Sequence, residues 1–162
     1  MSESLPPLQV DLSQSVRAWM PPKRAVTRWA RAACGARGRG HELAVHVVSR
    51  RQSQALNRQF RSKDQPTNVL SFGSPAPSGA LLGDLVVCAA VLRKEANEQR
   101  KPLLDHWAHM VVHGCLHLLG LDHERPTEAR RMERREVAIL SGLGVADPYL
   151  QQASGKPKAK RR

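Results

Sequence analysis

Three histidines stand close together in HGCLHLLGLDH, at His113, His117 and His123. The first two are four residues apart, so on a helix both imidazoles leave one face about a turn apart and can point at a single cation. Gly120 ends that helix, because glycine tolerates the positive φ at which a chain doubles back. His123 can then return to the same cation from the other side. Three neutral nitrogen donors around Zn²⁺ leave a fourth position free, which is the catalytic arrangement rather than the closed structural one. Such an ion keeps its double charge and brings a bound water toward a pKa of about 7, making it a nucleophile at neutral pH. His106 and His109 lie on nearly the same stripe, so a histidine-rich helix face without metal is the competing reading. The full pattern H-x-x-x-H-x-x-G-x-x-H, helix-breaking glycine included, favours the metal.

This spacing is also that of the metzincin peptidases, whose first histidine is followed by a glutamate acting as general base. Here that position is Gly114. A peptidase mechanism would lack the group that takes the water's proton, while the metal site stays intact.

The elements that must position these residues follow from patterning. LQVDL (Leu8 to Leu12) alternates as a strand, and the segment from Pro21 to Gly35 carries Val26, Trp29, Ala30 and Ala33 on one helical stripe. GARGRG reads as a flexible basic loop, ELAVHVVS as a strand, and RQSQALNRQFRS as a short helix anchored by Leu56 and Phe60. Pro66 keeps DQPTNVLSF out of a helix until Val69 opens a strand. GSPAPSGA is a surface loop, LLGDLVVC a strand and AAVLRKEANEQRK a helix. Leu103 to Leu119 forms a long, central apolar helix. Thr127 is expected to cap a last helix running to about Gly142, with Glu128 in its first turn. Irregular interleaving of strands and helices predicts an α+β fold with a small mixed sheet, one domain over residues 1–152 and a disordered basic tail over 153–162.

Charge and cysteines narrow the class of function. The chain has 162 residues and a net charge of +12. Arg17 to Lys63 holds twelve basic residues against the single acid Glu42, and Lys156 to Arg162 adds five more. A segregated positive surface attracts polyanions, whether RNA, DNA or anionic lipid, unless it is simply a solvated surface. Aromatic residues make up 4% of the chain, so stacking platforms are scarce and recognition should rest on backbone charge. No window is long enough to span a membrane, and the N-terminus lacks the pattern of a secretory signal. Cys34, Cys88 and Cys115 are odd in number and far apart, which disfavours a disulfide framework and suits a reducing compartment.

The motif resembles the H-G-x-L-H-L-x-G-x-D-H signature of the YbeY family, bacterial single-strand-specific endoribonucleases of ribosomal RNA maturation. LNRQFRSKDQPTNVLSF (Leu56 to Phe72) is similar to that family's segment with an arginine ahead of a D-x-P-T-[DN]-V-L-S-F run. LLGDLVVC and EANEQRKPLLDHWAHMVVHG agree with it too, so the likeness covers about Val45 to Tyr149. The Gly-Arg loop and lysine-rich tail fall outside it. The resemblance implies a zincin-like domain with a central metal-bearing helix, and one zinc ion on His113, His117 and His123. It also implies Arg61 as a functional arginine near the metal. A guanidinium offers paired donors to the oxygens of a phosphodiester under attack. Without the resemblance Arg61 would be one more surface cation. Asp122 either orients an imidazole from behind or serves the turn.

The expected function is therefore zinc-dependent hydrolysis of phosphodiester bonds in single-stranded ribosomal RNA. By resemblance it acts in small-subunit rRNA 3′-end maturation and ribosome quality control, in the cytoplasm, with the small subunit and its assembly proteins as partners and no membrane. A noncatalytic rRNA-binding assembly factor with a structural metal is the alternative. A metallopeptidase lacking its glutamate is the third reading.

Overall fold

The computed structural model describes residues 4–74 and 81–150. Its elements are β1 (Gln9–Gln14), α1 (Lys23–Cys34), β2 (Glu42–Val48), α2 (Arg50–Arg61), β3 (Val69–Gly73), β4 (Leu81–Cys88), α3 (Ala89–Glu98), α4 (Leu103–Leu118) and α5 (Pro126–Gly142). The strands form one four-stranded mixed sheet in the order β1-β2-β4-β3. β1, β2 and β4 run parallel, and β3 pairs antiparallel with β4. The α+β class and the small mixed sheet agree with the sequence expectation.

One sheet face carries the main core. Leu43, Val45 and Val47 of β2 and Leu85 and Val87 of β4 alternate toward α1 and α4, where Val26, Trp29, Trp107 and Leu116 meet them. α4 is apolar on nearly every side because it packs against α1, α3, α5 and the sheet at once. The other face is covered at its β3–β4 end, where Val48, Leu70 and Val86 meet Leu56 and Phe72. No helix among the described residues is long and apolar enough to cross a membrane.

Several local expectations are corrected. The Gly-Arg stretch is not a free loop: Gly35–Gly38 forms a 3-10 turn. Its arginines are tied down, Arg37 donating to the Leu119 carbonyl at 3.1 Å and Arg39 to that of Leu5 at 3.0 Å. Leu56 anchors α2 on the sheet as expected, but Phe60 is half exposed and only meets Phe72 edge-on. The buried side chains of α2 are the polar Ser53 and Asn57. Thr127 does not cap α5; Pro126 is its first residue and Arg125 stands at the cap without a side-chain bond. Proline takes the first helical position because its missing N–H has no partner there in any case. The loop around Pro75–Ala80 and the tail at 153–162 lie outside the described residues.

Candidate metal centre and active site

The end of α4 brings the histidines together. Gly120 has φ +99°, and the amides of Gly120 and Leu121 donate to the carbonyls of His117 and Leu116 at 3.0 Å each. These two bonds form the paired closure of a left-handed helix terminus, which only glycine adopts readily. The reversal places the Leu121 carbonyl 3.0 Å from Nδ1 of His117 and brings His123 back to the helix. Ligand atoms of His113, His117 and His123 all lie within 4.8 Å of one another. One cavity of about 770 Å³ is lined by all three, together with Arg61, Asp122 and Glu124.

The hydrogen bonds fix which nitrogens face inward. Nδ1 of His113 lies 2.5 Å from the Glu136 carboxylate, and Nδ1 of His117 bonds a carbonyl oxygen. Both Nδ1 atoms therefore carry the proton, which leaves a lone pair on each Nε2. Those two Nε2 atoms face each other at 3.1 Å. Two lone pairs so placed repel unless a cation sits between them, so the donor set fits a metal ion. Burial, followed by the neighbouring His113 and His123, lowers the pKa of His117 and keeps it in the neutral form a ligand needs.

Glu136 was missed by motif reading. It has no exposed surface and bonds three groups: His113, Nε2 of His109 at 2.9 Å, and the Tyr149 hydroxyl. Burial alone would raise its pKa, but the bonds from His109 and His113 win and hold it at about 2. A signal did exist: Met132, Glu136 and Leu140 repeat every four residues on the buried stripe of α5, and an acid inside an apolar stripe requires a partner. His106 and His109 prove to be packed residues. His106 bonds Glu95 at 2.8 Å, and His109 bonds Glu136. Asp122 serves the turn, accepting from the His123 amide at 2.6 Å.

Arg61 ends α2 and sits against β3. It donates to the Ser71 carbonyl at 2.9 Å and the Phe60 carbonyl at 3.2 Å, with its guanidinium 5.1 Å from the centre of the Phe72 ring. Those bonds leave other N–H donors of the five for an anion. The loop between α2 and β3 is held by the buried polar pair. Ser53 bonds both the carbonyl and the amide of Thr67, and Asn57 donates to the Gln65 carbonyl at 2.8 Å.

Gly114 acquires a packing role. A Cβ there would come within 2.8 Å of Leu85 Cδ2, and the Gly114 carbonyl accepts from the Ser71 hydroxyl at 3.1 Å. α4 lies directly on the sheet at this point, so a glutamate side chain has no room.

Comparison with known proteins agrees with the motifs. The family model described as Endoribonuclease YbeY matches residues 14–144. The chain is 50% identical over 151 residues to a protein of Halorhodospira halophila named Endoribonuclease YbeY, covering 90% of this chain and 98% of that one. A protein of the same name from Alkalilimnicola ehrlichii is 52% identical over 149 residues, covering 88% and 90%. The solution structure of TM1509 from Thermotoga maritima superposes with a TM-score of 0.55 at 19% identity, covering 94% of this chain and 100% of that one, which speaks for the fold alone. With its matched span running from the last residue of β1 to just past α5, the chain belongs to the endoribonuclease YbeY family.

Proposed function

We propose that this protein is a zinc-dependent endoribonuclease that cuts single-stranded ribosomal RNA by phosphodiester hydrolysis. The observation that carries the reading is the convergence of His113, His117 and His123 with Arg61 on one cavity. The named relatives support an RNA substrate. The metal would be held by the three histidines, α4 being the metal-bearing helix of a zincin-like domain over residues 1–152. When bound, zinc supplies Lewis acidity and an acidified water.

The chain's own residues do the rest. Glu136 and the Leu121 carbonyl hold the two helical imidazoles in one tautomer. Arg61, braced by Ser71 and Phe72, binds the phosphate and offsets charge growing on its oxygens. Of the two carboxylates lining the cavity, Asp122 is engaged by the His123 amide, which leaves Glu124 as the candidate proton acceptor. We assign the enzyme to small-subunit rRNA 3′-end maturation and ribosome quality control in the cytoplasm, beside the small subunit and its assembly proteins.

The test combines metal analysis of the purified protein with cleavage of defined single- and double-stranded RNAs by wild type and His117→Ala. Zinc near one equivalent, with cleavage of single strands lost in the variant and under chelator, is expected. Undiminished cleavage by metal-free His117→Ala would defeat the reading.

A further inference from the structure

Two groups of arginines stand apart among the described residues. Arg31, Arg37, Arg39 and Arg61 are tied to backbone carbonyls. A second set, Arg17, Arg50, Arg51 and Arg93, joins Lys94 in lining a cavity of about 750 Å³ at the carboxyl ends of β1, β2 and β4. The charged ends of these five make no hydrogen bond or ion pair among the described residues. No acidic residue lines the cavity. Like charges gathered around one concavity focus a positive potential and concentrate anions there.

The same cavity includes Trp19, which is 47% exposed, whereas Trp29 and Trp107 are buried. Cations alone would take any polyanion. An open indole beside them selects a chain whose bases are free to stack, which is single-stranded nucleic acid.

α2 connects this cavity to the histidine site. Arg50 and Arg51 start it in one cavity and Arg61 ends it in the other, about 17 Å apart at the helical rise. RRQSQALNRQFR contains no acid, and Arg51, Arg58 and Arg61 are all exposed. Arg51 and Arg58, two turns apart, share one face.

We infer that this cavity is a second binding site for single-stranded RNA, with phosphates on the five cations, a base against Trp19, and the strand following α2 to the histidines. The inference rests on RNA being the substrate. It is tested on the full chain with a fluorescein-labelled oligouridine of about 16 nucleotides, by anisotropy across a salt series and by tryptophan emission. The double variant Arg93→Glu/Lys94→Glu should raise Kd at least about tenfold and flatten the salt slope by about 0.7 for each phosphate it no longer neutralises. Unlabelled RNA should quench wild-type emission, and Trp19→Phe should abolish that quenching, a readout that does not depend on how the double variant folds. If wild type cleaves and binds the RNA but the double variant matches its Kd and salt slope, this inference falls and the proposed function stands. If wild type neither binds nor cleaves, both fall. If the double variant instead loses only binding of a polyglutamate peptide, the cavity belongs to an acidic protein segment and the RNA site is overturned.

Discussion

Nδ1 of His113 lies 2.5 Å from Oε2 of Glu136, a carboxylate wholly enclosed by the packing of α4 and α5. This bond reaches into the centre of the site from an element that contributes no cavity-lining ligand of its own. A carboxylate behind a metal-binding imidazole fixes its tautomer and raises its basicity.

Replacing that carboxylate should therefore be felt at the metal. Glu136→Gln is expected to weaken zinc affinity by about 10–100-fold, measured by competition with a chromophoric chelator. Far-UV circular dichroism should stay unchanged. Unaltered affinity would mean that Glu136 only fills space.

Arg61 offers a test of charge against geometry. Arg61→Lys keeps the cation but loses the planar donor pair and the stack on Phe72. Its kcat should fall about 10²–10³-fold, as measured on a defined single-stranded RNA, with thermal midpoint shifting little. Full activity in the lysine variant would show that charge alone suffices.

Gly114→Glu would restore the carboxylate of a peptidase motif. Because Leu85 and Ser71 already occupy that space, the change should destabilise the fold by at least about 3 kcal/mol through overpacking and an unpaired buried charge. Urea unfolding measures this. A stable variant with peptidase activity would reverse our account of the position.

Acid stability should reflect Glu95. Burial would raise its pKa, but bonds from His106 and Asn68 lower it below the usual glutamate range. A depressed carboxyl stabilises the fold above its unfolded pKa, and that gain is lost as pH falls through the folded value. Wild type should therefore exceed Glu95→Gln in urea midpoint at pH 7, with the gap closing progressively below about pH 4.3. A gap that persists unchanged into acid would assign the difference to packing.

Metal removal should separate catalysis from folding. The three histidines lie at the cavity, outside the apolar core, so chelated protein should keep its helical spectrum and lose cleavage. Added zinc should then raise the thermal midpoint by mass action, worth about 2.7 kcal/mol at a hundredfold excess over Kd. Unfolding on chelation would favour a structural metal.

Much of this was legible in the linear chain because it depends on local spacing. His113 and His117 share a helix face by periodicity, and Gly120 announces the reversal that returns His123, since only glycine adopts that φ readily. Strand alternation in β2 and β4 and the apolar run of α4 likewise report burial directly. The burial of Ser53 and Asn57, the exposure of Phe60 and the pinned Gly-Arg turn were not legible. Each depends on partners distant in sequence or on what packs above the residue.

The amino-acid order by itself determined the histidine cluster, the α+β class with its mixed sheet and the segregation of positive charge, all properties of neighbours along the chain. Only the tertiary structure decided that Glu136 and Leu121 orient the imidazoles, that Arg61 faces their cavity from another helix, and that Gly114 is a packing necessity. Those relationships join α2, α4, α5 and the sheet. A side chain's partner across such an interface is set by how elements dock, which no local pattern encodes.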